Sequence, residues 1–160
     1  MVPILPLDGT LFGPDQPCFG CGPDHPYGFR LKFEHDGEGI LAHFTPGERY
    51  QGPPGIMHGG LVATVADETA AWALIAKTGK FGFTTSFECK LHRAVRIGAE
   101  AEARAHLARE SSRIVKSEVR ISQGGELCFS GLFTFVVLDR HSAEKLLGGP
   151  MPEAWLRFCR

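Results

Sequence analysis

The sequence predicts an α+β fold in which an antiparallel sheet of about six strands wraps around one long central helix. Residues from about 58 to 77 form a long apolar run that starts at a His-Gly-Gly turn and ends before Gly79, as a helix would. The stretches on either side alternate apolar and polar residues with a period of two and are joined by short links. Because the helix is apolar all round, it is the available cover for the sheet, and the sheet is expected to curl around it.

Two strands are predicted before the helix and four after it. Phe29, Leu31 and Phe33 alternate with charged residues, and after an Asp-Gly turn a second run extends from Ile40 to Phe44. The later strands cover residues 83–92, 99–106, 113–121 and 127–138. The last of these is apolar on both faces, which is typical of a central strand or a subunit contact.

Two of the later strands carry specific expectations about the core. In the strand over residues 83–92, alternation places Phe83, Thr85 and Phe87 on the face towards the helix. In the next strand, small inward residues let the helix lie close to the sheet; they are Ala99, Ala101, Ala103 and Ala105. Burial of six large helical side chains then makes the helix the main organiser of the core; they are Leu61, Val62, Val65, Trp72, Leu74 and Ile75.

The chain of 160 residues is expected to form one domain with two appendages. Residues 1–28 are rich in proline and glycine and form an irregular leader, residues 29–138 form the domain itself, and residues 139–160 form a tail. The tail carries Trp155, Leu156 and Phe158, which predict a docking turn.

Charge and hydropathy exclude two classes of partner. With 17 basic and 18 acidic residues the net charge is −1, so neither nucleic acid nor an anionic membrane surface is favoured. No apolar run reaches the ~20 residues of a membrane helix, and the N-terminus lacks the pattern of a signal peptide. We therefore expect a cytoplasmic protein.

The five cysteines are an odd set that lacks the density of a disulfide-stapled domain, so we expect reduced thiols. Cys18 and Cys21 have the spacing of a metal knuckle or a redox pair. A structural zinc ion needs four ligands, however, and no second knuckle is present, although His25 could be a third ligand. The favoured interpretation is a glycine-rich turn that happens to hold two cysteines, so no metal site is predicted.

The start and the middle of the helix carry the features that call for a function. The Gly59-Gly60 pair after His58 leaves backbone N–H groups bare at the helix N-terminus. Asp67 and Glu68 are adjacent carboxylates in an apolar helix, where an isolated charge must be paired, hydrogen-bonded or neutralised. They point about 100° apart, so only one of them can face a given site.

Several motifs together resemble the hot-dog-fold acyl-CoA thioesterases of the phenylacetyl-CoA thioesterase-like family. They are Cys18-Phe-Gly-Cys-Gly-Pro, Gln51-Gly-Pro-Pro-Gly, the run from His58 to Asp67, and the turn Arg93-Ala-Val-Arg-Ile-Gly98. The resemblance covers about residues 18 to 138. It implies that the N–H of Gly59, with that of Gly60, polarises the thioester carbonyl, and that Asp67 is the general base or nucleophile.

The resemblance also implies a coenzyme A thioester as substrate, no metal or organic cofactor, and a homodimer or homotetramer. Helical geometry agrees with the oligomer. Nine residues make two and a half turns, so Asp67 projects from the face opposite His58, about 13–14 Å further along the axis. One chain can hardly apply both groups to one carbonyl. If both act, the site is shared across a dimer interface, with Gly59 from one subunit and Asp67 from the other.

The remaining candidate residues have less definite roles. His58 could contact the substrate or orient the turn through a hydrogen bond. Family alignment points to Thr84 as a hydroxyl that positions the attacking water, whereas alternation places Thr85 towards the helix. Gln51 lies where the family often has Asn or Gln near the carbonyl, with one extra residue in the spacing.

Two arginines complete the set of predicted binding residues. The phosphates of coenzyme A favour Arg or Lys at the surface. Arg93 and Arg113 are the candidates among the cations near the strand ends.

Three other functions compete with thioester hydrolysis. A non-catalytic acyl-CoA binding or sensing module on the same fold would need the glycine turn but not Asp67. A hot-dog hydratase is weaker, because no histidine follows Asp67 at the spacing that such enzymes use. A zinc-binding protein that uses Cys18 and Cys21 comes last.

Overall fold

A computed structural model describes residues 3–160, which form one antiparallel sheet of seven strands around a long helix. The strands are β1 (Leu7–Asp8), β2 (Lys32–Asp36), β3 (Gly39–Phe44), β4 (Gly82–Leu91), β5 (Ala101–Glu110), β6 (Ile114–Gln123) and β7 (Glu126–Val137). The helices are α1 (Gly59–Thr78), α2 (Arg140–Leu147) and α3 (Glu153–Leu156). Strands neighbour one another in the order β1-β2-β3-β5-β6-β7-β4. The predicted α+β fold, with a sheet around one central helix, is confirmed.

Helix α1 lies in the curl of the sheet and has the length that the sequence predicts. It begins after His58 and ends at Gly79, whose left-handed backbone (φ 67°) lets its N–H donate to the carbonyl of Ile75 at 2.9 Å. The large buried side chains of the helix are Val62, Val65, Trp72, Leu74 and Ile75. Leu61 was expected in this group but is only half-buried, in the first turn of the helix.

The close approach of α1 to the sheet depends on small residues in β5. Ala101, Ala103 and Ala105 are all buried, whereas Ala99 is exposed because it precedes the strand. In the neighbouring strand the hydroxyl of Ser117, fully buried, donates to the backbone carbonyl of Ala70 at 3.1 Å. Helix and sheet therefore meet almost backbone to backbone at this point.

The leader and the tail pack on the same core. Between residues 3 and 28 the regular structure consists of β1 and a 3-10 turn at Gly9–Phe12. Strand β1 pairs with β2 and brings the strand number to seven rather than six. Phe12 is buried with its ring against Trp72, at a centroid distance of 5.7 Å. In the tail Phe158 is buried, and its carbonyl accepts from Phe81 N–H at 2.9 Å.

Strand β4 contains a bulge that overturns one prediction from alternation. Thr84 pairs with Phe135 and Phe87 pairs with Phe133, and the register shifts between Thr84 and Ser86. Phe133 and Phe135 are both core residues, so Thr84 and Phe87 face the helix, while Thr85 and Phe83 do not. The extra residue of the bulge inverts the alternation, and for that reason the helix-facing hydroxyl belongs to Thr84 and not to Thr85.

Strand β4 is also the edge of the sheet on the side away from the leader. On its helix-facing side Phe87 and Leu91 remain 49% and 51% exposed. An exposed apolar edge strand is a ready surface for pairing with another chain.

Along residues 3–160 no helix combines the length and the apolar character that a membrane crossing needs.

The alanine face of β5 supports a stability prediction. Ala103→Leu should lower the free energy of unfolding by about 1–3 kcal/mol or more, because the added side chain has no room between β5 and α1. His106→Leu, on the outward face of the same strand, is the control and should change it by less than about 0.5 kcal/mol. Urea unfolding curves measure both; equal stabilities of the two variants would contradict close packing at Ala103.

Candidate active site

The N-terminus of α1 offers one free backbone donor. His58 is the N-cap, and its Nδ1 accepts from Gly60 N–H at 3.0 Å. Within residues 3–160 no acceptor is bonded to the N–H of Gly59. The free donor at this helix end is therefore Gly59, and Gly60, which the sequence also nominates, is already engaged by the cap.

His58 orients the turn at the start of α1 through a hydrogen bond, which is one of the two roles that the sequence leaves open. Its backbone N–H donates to the carbonyl of Tyr50 at 2.8 Å, and its exposed imidazole closes the first turn of the helix. The residue thus fixes the orientation of the Gly59 N–H. A contact of His58 with substrate stays a prediction.

Asp67 lies in the third turn of α1 and faces the start of β4. Its Oδ1 accepts from the hydroxyl of Thr84 at 2.7 Å, and no protein donor among residues 3–160 is bonded to Oδ2. The side chain is partly buried. Burial raises the pKa of the Asp67 carboxyl above its ordinary value, and the hydrogen bond from Thr84 offsets part of that shift.

Thr84 therefore orients one oxygen of the carboxylate and leaves the other free. The bulge in β4 makes this contact possible, because it turns Thr84 towards the helix. The hydroxyl of Thr85 instead donates to the backbone carbonyl of Thr134 at 3.1 Å, on the exposed side. Of the two candidate threonines, the structure brings only Thr84 to Asp67.

Glu68 faces a different environment from its neighbour. Its carboxylate oxygens lie 3.5 and 3.4 Å from the sulfur of Cys18, and the indole N–H of Trp72 donates to Oε1 at 3.0 Å. Burial raises the pKa of Glu68 to about 8. The two carboxylates are thus separated by the helical rotation between them, and only Asp67 lies near the start of β4.

The cysteine pair of the leader meets Glu68 and not His25. The ligand atoms of Cys18, Cys21 and Glu68 all lie within 4.8 Å of one another. Nδ1 of His25 instead accepts the backbone N–H groups of the following turn, from Tyr27 at 3.2 Å and from Gly28 at 2.8 Å. Sequence reasoning missed this cluster, although a carboxylate without a partner in an apolar helix was the signal that a distant segment must meet it.

Gln51 is placed as a brace of the loop before α1. Its Oε1 accepts from Gly55 N–H at 2.7 Å, and its Nε2 donates to the carbonyl of Glu48 at 3.1 Å. Both ends of the amide are therefore used inside the loop that leads to His58. A contact of Gln51 with the substrate carbonyl stays a prediction.

Arg93 and Arg113 lie at opposite ends of β7. Arg93 forms an ion pair with Glu126, the first residue of that strand, at 3.1 Å, and the carbonyl of Arg113 accepts from the N–H of Val137, its last residue. Eleven residue steps along a strand span roughly 36 Å. The two arginines of one chain are thus too far apart to hold the same phosphate group.

The comparisons with known proteins agree with this architecture. The family model described as the thioesterase superfamily matches residues 54–129, which run from the loop before α1 into β7. With its seven-stranded sheet around α1, the chain has the hot-dog fold, and this part of it is similar to the thioesterase superfamily. The resemblance to hot-dog thioesterases is confirmed. No curated protein matches the chain.

Three solved structures illustrate the likeness. A thioesterase superfamily protein shares 25% identity at a TM-score of 0.68, covering 74% of this chain, which spans 59% of that protein's length. Zebrafish thioesterase superfamily member 2 shares 20% identity at a TM-score of 0.64, covering 71% of this chain and 88% of its own. A hypothetical thioesterase from Streptococcus pneumoniae, crystallised with coenzyme A, shares 18% identity at a TM-score of 0.61, covering 66% of this chain and 84% of its own.

The cap at His58 supports a prediction about stability. His58→Ala removes the acceptor for Gly60 N–H and should lower the free energy of unfolding by about 0.5–2 kcal/mol. His58→Asn supplies another good N-cap acceptor and should recover most of that loss. Thermal unfolding of the two variants measures the difference. An asparagine variant that is as unstable as the alanine variant would show that the imidazole stabilises the fold by another contact.

Proposed function

We propose that this chain hydrolyses acyl-CoA or aryl-CoA thioesters to the free acid and coenzyme A. The observation that carries the proposal is the free Gly59 N–H at the start of a 20-residue helix, on the same helix as a partly buried carboxylate that Thr84 orients. The match of residues 54–129 to the thioesterase superfamily model supports it, as does a similar structure that holds coenzyme A.

Asp67 and the Gly59 N–H match the two requirements of thioester hydrolysis, which are an activated nucleophile and a donor to the oxyanion. Asp67 removes a proton from water with its free Oδ2 while the water oxygen attacks the carbonyl carbon, or Oδ2 itself attacks to form an anhydride that water then cleaves. The carbonyl oxygen becomes an oxyanion, which the N–H of Gly59 and the positive end of the α1 dipole stabilise. Collapse of the intermediate breaks the C–S bond and releases the coenzyme A thiolate, which takes up the proton.

One subunit cannot supply both groups to one carbonyl. Gly59 and Asp67 are eight residues apart on one continuous helix, or about 12 Å along its axis. A Cβ added to Gly59 would lie 3.2 Å from Cδ2 of Leu91, the last residue of β4, whereas Asp67 bonds to Thr84 near the start of β4. The oxyanion donor and the carboxylate thus lie near opposite ends of the edge strand.

A two-fold axis across that edge brings the groups together. Two copies of an edge strand related by a two-fold axis run antiparallel, so the end of β4 in one subunit faces the start of β4 in the other. Gly59 of one subunit then approaches the partner's Asp67, and the same symmetry forms a second site. The exposed side chains of Phe87 and Leu91 become covered in this homodimer, and Arg93 of one subunit comes to the same end as the partner's Arg113.

Loss of the carboxylate tests the hydrolase proposal. Asp67→Asn should reduce kcat/KM for acyl-CoA and aryl-CoA esters by at least about 10²-fold, because the amide can neither accept the proton nor attack. Asp139→Asn, a cap of α2 away from α1, is the control. Release of the coenzyme A thiol measures turnover. If the wild-type chain binds these thioesters without turnover, it is a non-catalytic acyl-CoA binding or sensing module.

Gly59→Pro tests the oxyanion donor and the shared site together. Proline is favourable at the first residue of a helix, and there it deletes the N–H without breaking a helical hydrogen bond, so the variant should fold but lose about 10²–10³-fold in kcat. Gly59→Ala, which keeps the N–H, is the matched control. When Asp67→Asn and Gly59→Pro chains are mixed and reassociated, the heterodimers hold one intact site, and about a quarter of wild-type activity should return. No recovery from reassociated chains would contradict a shared site.

Thr84 is a positioning residue in this mechanism. Thr84→Val should lower kcat by roughly 10–100-fold with little change in KM, because a hydrogen bond to a charged group is worth about 1.5–3 kcal/mol. Thr84→Ser keeps the hydroxyl and should restore most of kcat. Steady-state kinetics on both variants measure kcat and KM separately. Equal losses in the valine and serine variants would mean that the methyl group matters and the hydroxyl does not.

A further inference from the structure

A second cluster of reactive side chains lies on a different face of α1 from the one that meets Thr84, and it plays no part in the proposed hydrolysis. Cys18 and Cys21 reach it from the leader, and Glu68 reaches it from the middle of the helix. The cluster is partly to fully buried. Three groups that can each carry a negative charge thus meet in one place. Among the residues that the structure describes, no lysine, arginine or histidine acts on any of the three.

The donors around the cluster are arranged as they are around a bound cation. The side-chain amide of Gln16 donates to the sulfur of Cys21 at 3.5 Å, and the indole N–H of Trp72 donates to Oε1 of Glu68 at 3.0 Å. Two of the three ligand residues therefore receive a hydrogen bond from outside the set. Such outer donors orient the ligands of metal sites and hold their charge.

The distances also fit a tetrahedral ion. Zinc binds sulfur at about 2.3 Å and carboxylate oxygen at about 2.0–2.2 Å, so a tetrahedral site has an S···O edge of about 3.5 Å. The sulfur of Cys18 lies 3.4 and 3.5 Å from the two oxygens of Glu68. Gly20 crosses the carboxylate so closely that a Cβ there would lie 2.5 Å from Oε2, so only glycine fits the loop over this group.

We propose that Cys18, Cys21 and Glu68 bind one zinc ion and that this ion ties the leader to α1 beside Asp67. The three ligands leave a fourth position for water, and two thiolates with one carboxylate favour zinc among the common divalent ions. The sequence contains no second pair of cysteines, which argues against a zinc site. In the structure Glu68 of α1 supplies the third ligand instead. The proposal stands whether or not the chain is a hydrolase, because its evidence is the cluster alone.

Metal content and thermal stability test the site in the intact protein. Chain purified under reducing conditions from zinc-supplemented cells should hold about one zinc ion, and chelation should remove it. Returning zinc at about 100 times its Kd should raise Tm by roughly 5–10 °C. Cobalt in place of zinc should give the thiolate-to-metal charge-transfer absorption of a two-cysteine site.

Variants show whether the proposed ligands hold the ion. Cys21→Ser and Glu68→Gln should each weaken zinc affinity at least about 10-fold, while Cys128→Ser, at a buried cysteine outside the cluster, should keep it. Glu68→Gln keeps the acceptor for Trp72, so it remains informative if a cysteine variant fails to fold. Two results would overturn the proposal: no zinc-dependent rise in Tm of wild-type chain with all five thiols free, or a thiol count showing a Cys18–Cys21 disulfide.

Discussion

The structure depends on the need to cover an apolar helix on every side with a single sheet. Seven antiparallel strands achieve this by curling around α1, and the small side chains of Ala101, Ala103 and Ala105 let the helix come close. Burial of large apolar side chains contributes about 1.5–3 kcal/mol each, so α1 and the inner face of the sheet supply most of the driving force. The leader and tail cover what the sheet leaves open, with Phe12 against Trp72.

The cost of burying two carboxylates in the middle of such a helix must be offset by nearby donors. The fold does this differently for Asp67 and for Glu68. The rotation of about 100° per residue sends Asp67 towards the edge strand and Glu68 towards the leader. Asp67 receives one hydroxyl and keeps a free oxygen, which suits a group that reacts. Glu68 is held by Trp72 and lies against Cys18, which suits a group that binds or braces. A one-residue difference in sequence thus becomes a difference in chemistry.

Local pattern was enough to predict most of the fold and part of the site. The bounds of α1 and most of the alanine face of β5 follow from periodicity, and the cost of burying charge marks Asp67 and Glu68 as residues that need a partner. The bulge at Thr85 could not be read from alternation, because one extra residue reverses the faces of a strand without changing its composition. The contact of Cys18 with Glu68 joins residues 50 positions apart and has no local signal beyond the unpaired carboxylate itself.

In the proposed mechanism the single chain is half of a site. Its free N–H at Gly59 and its oriented carboxylate at Asp67 lie near opposite ends of the same edge strand, and that strand keeps Phe87 and Leu91 half-exposed. A chain that buried both groups around one carbonyl would need a break in α1 between them, which would cost the continuous hydrogen bonding of the helix. The proposed pairing of two edges avoids that break, because each helix would stay whole, each apolar edge would be covered, and one interface would form two sites.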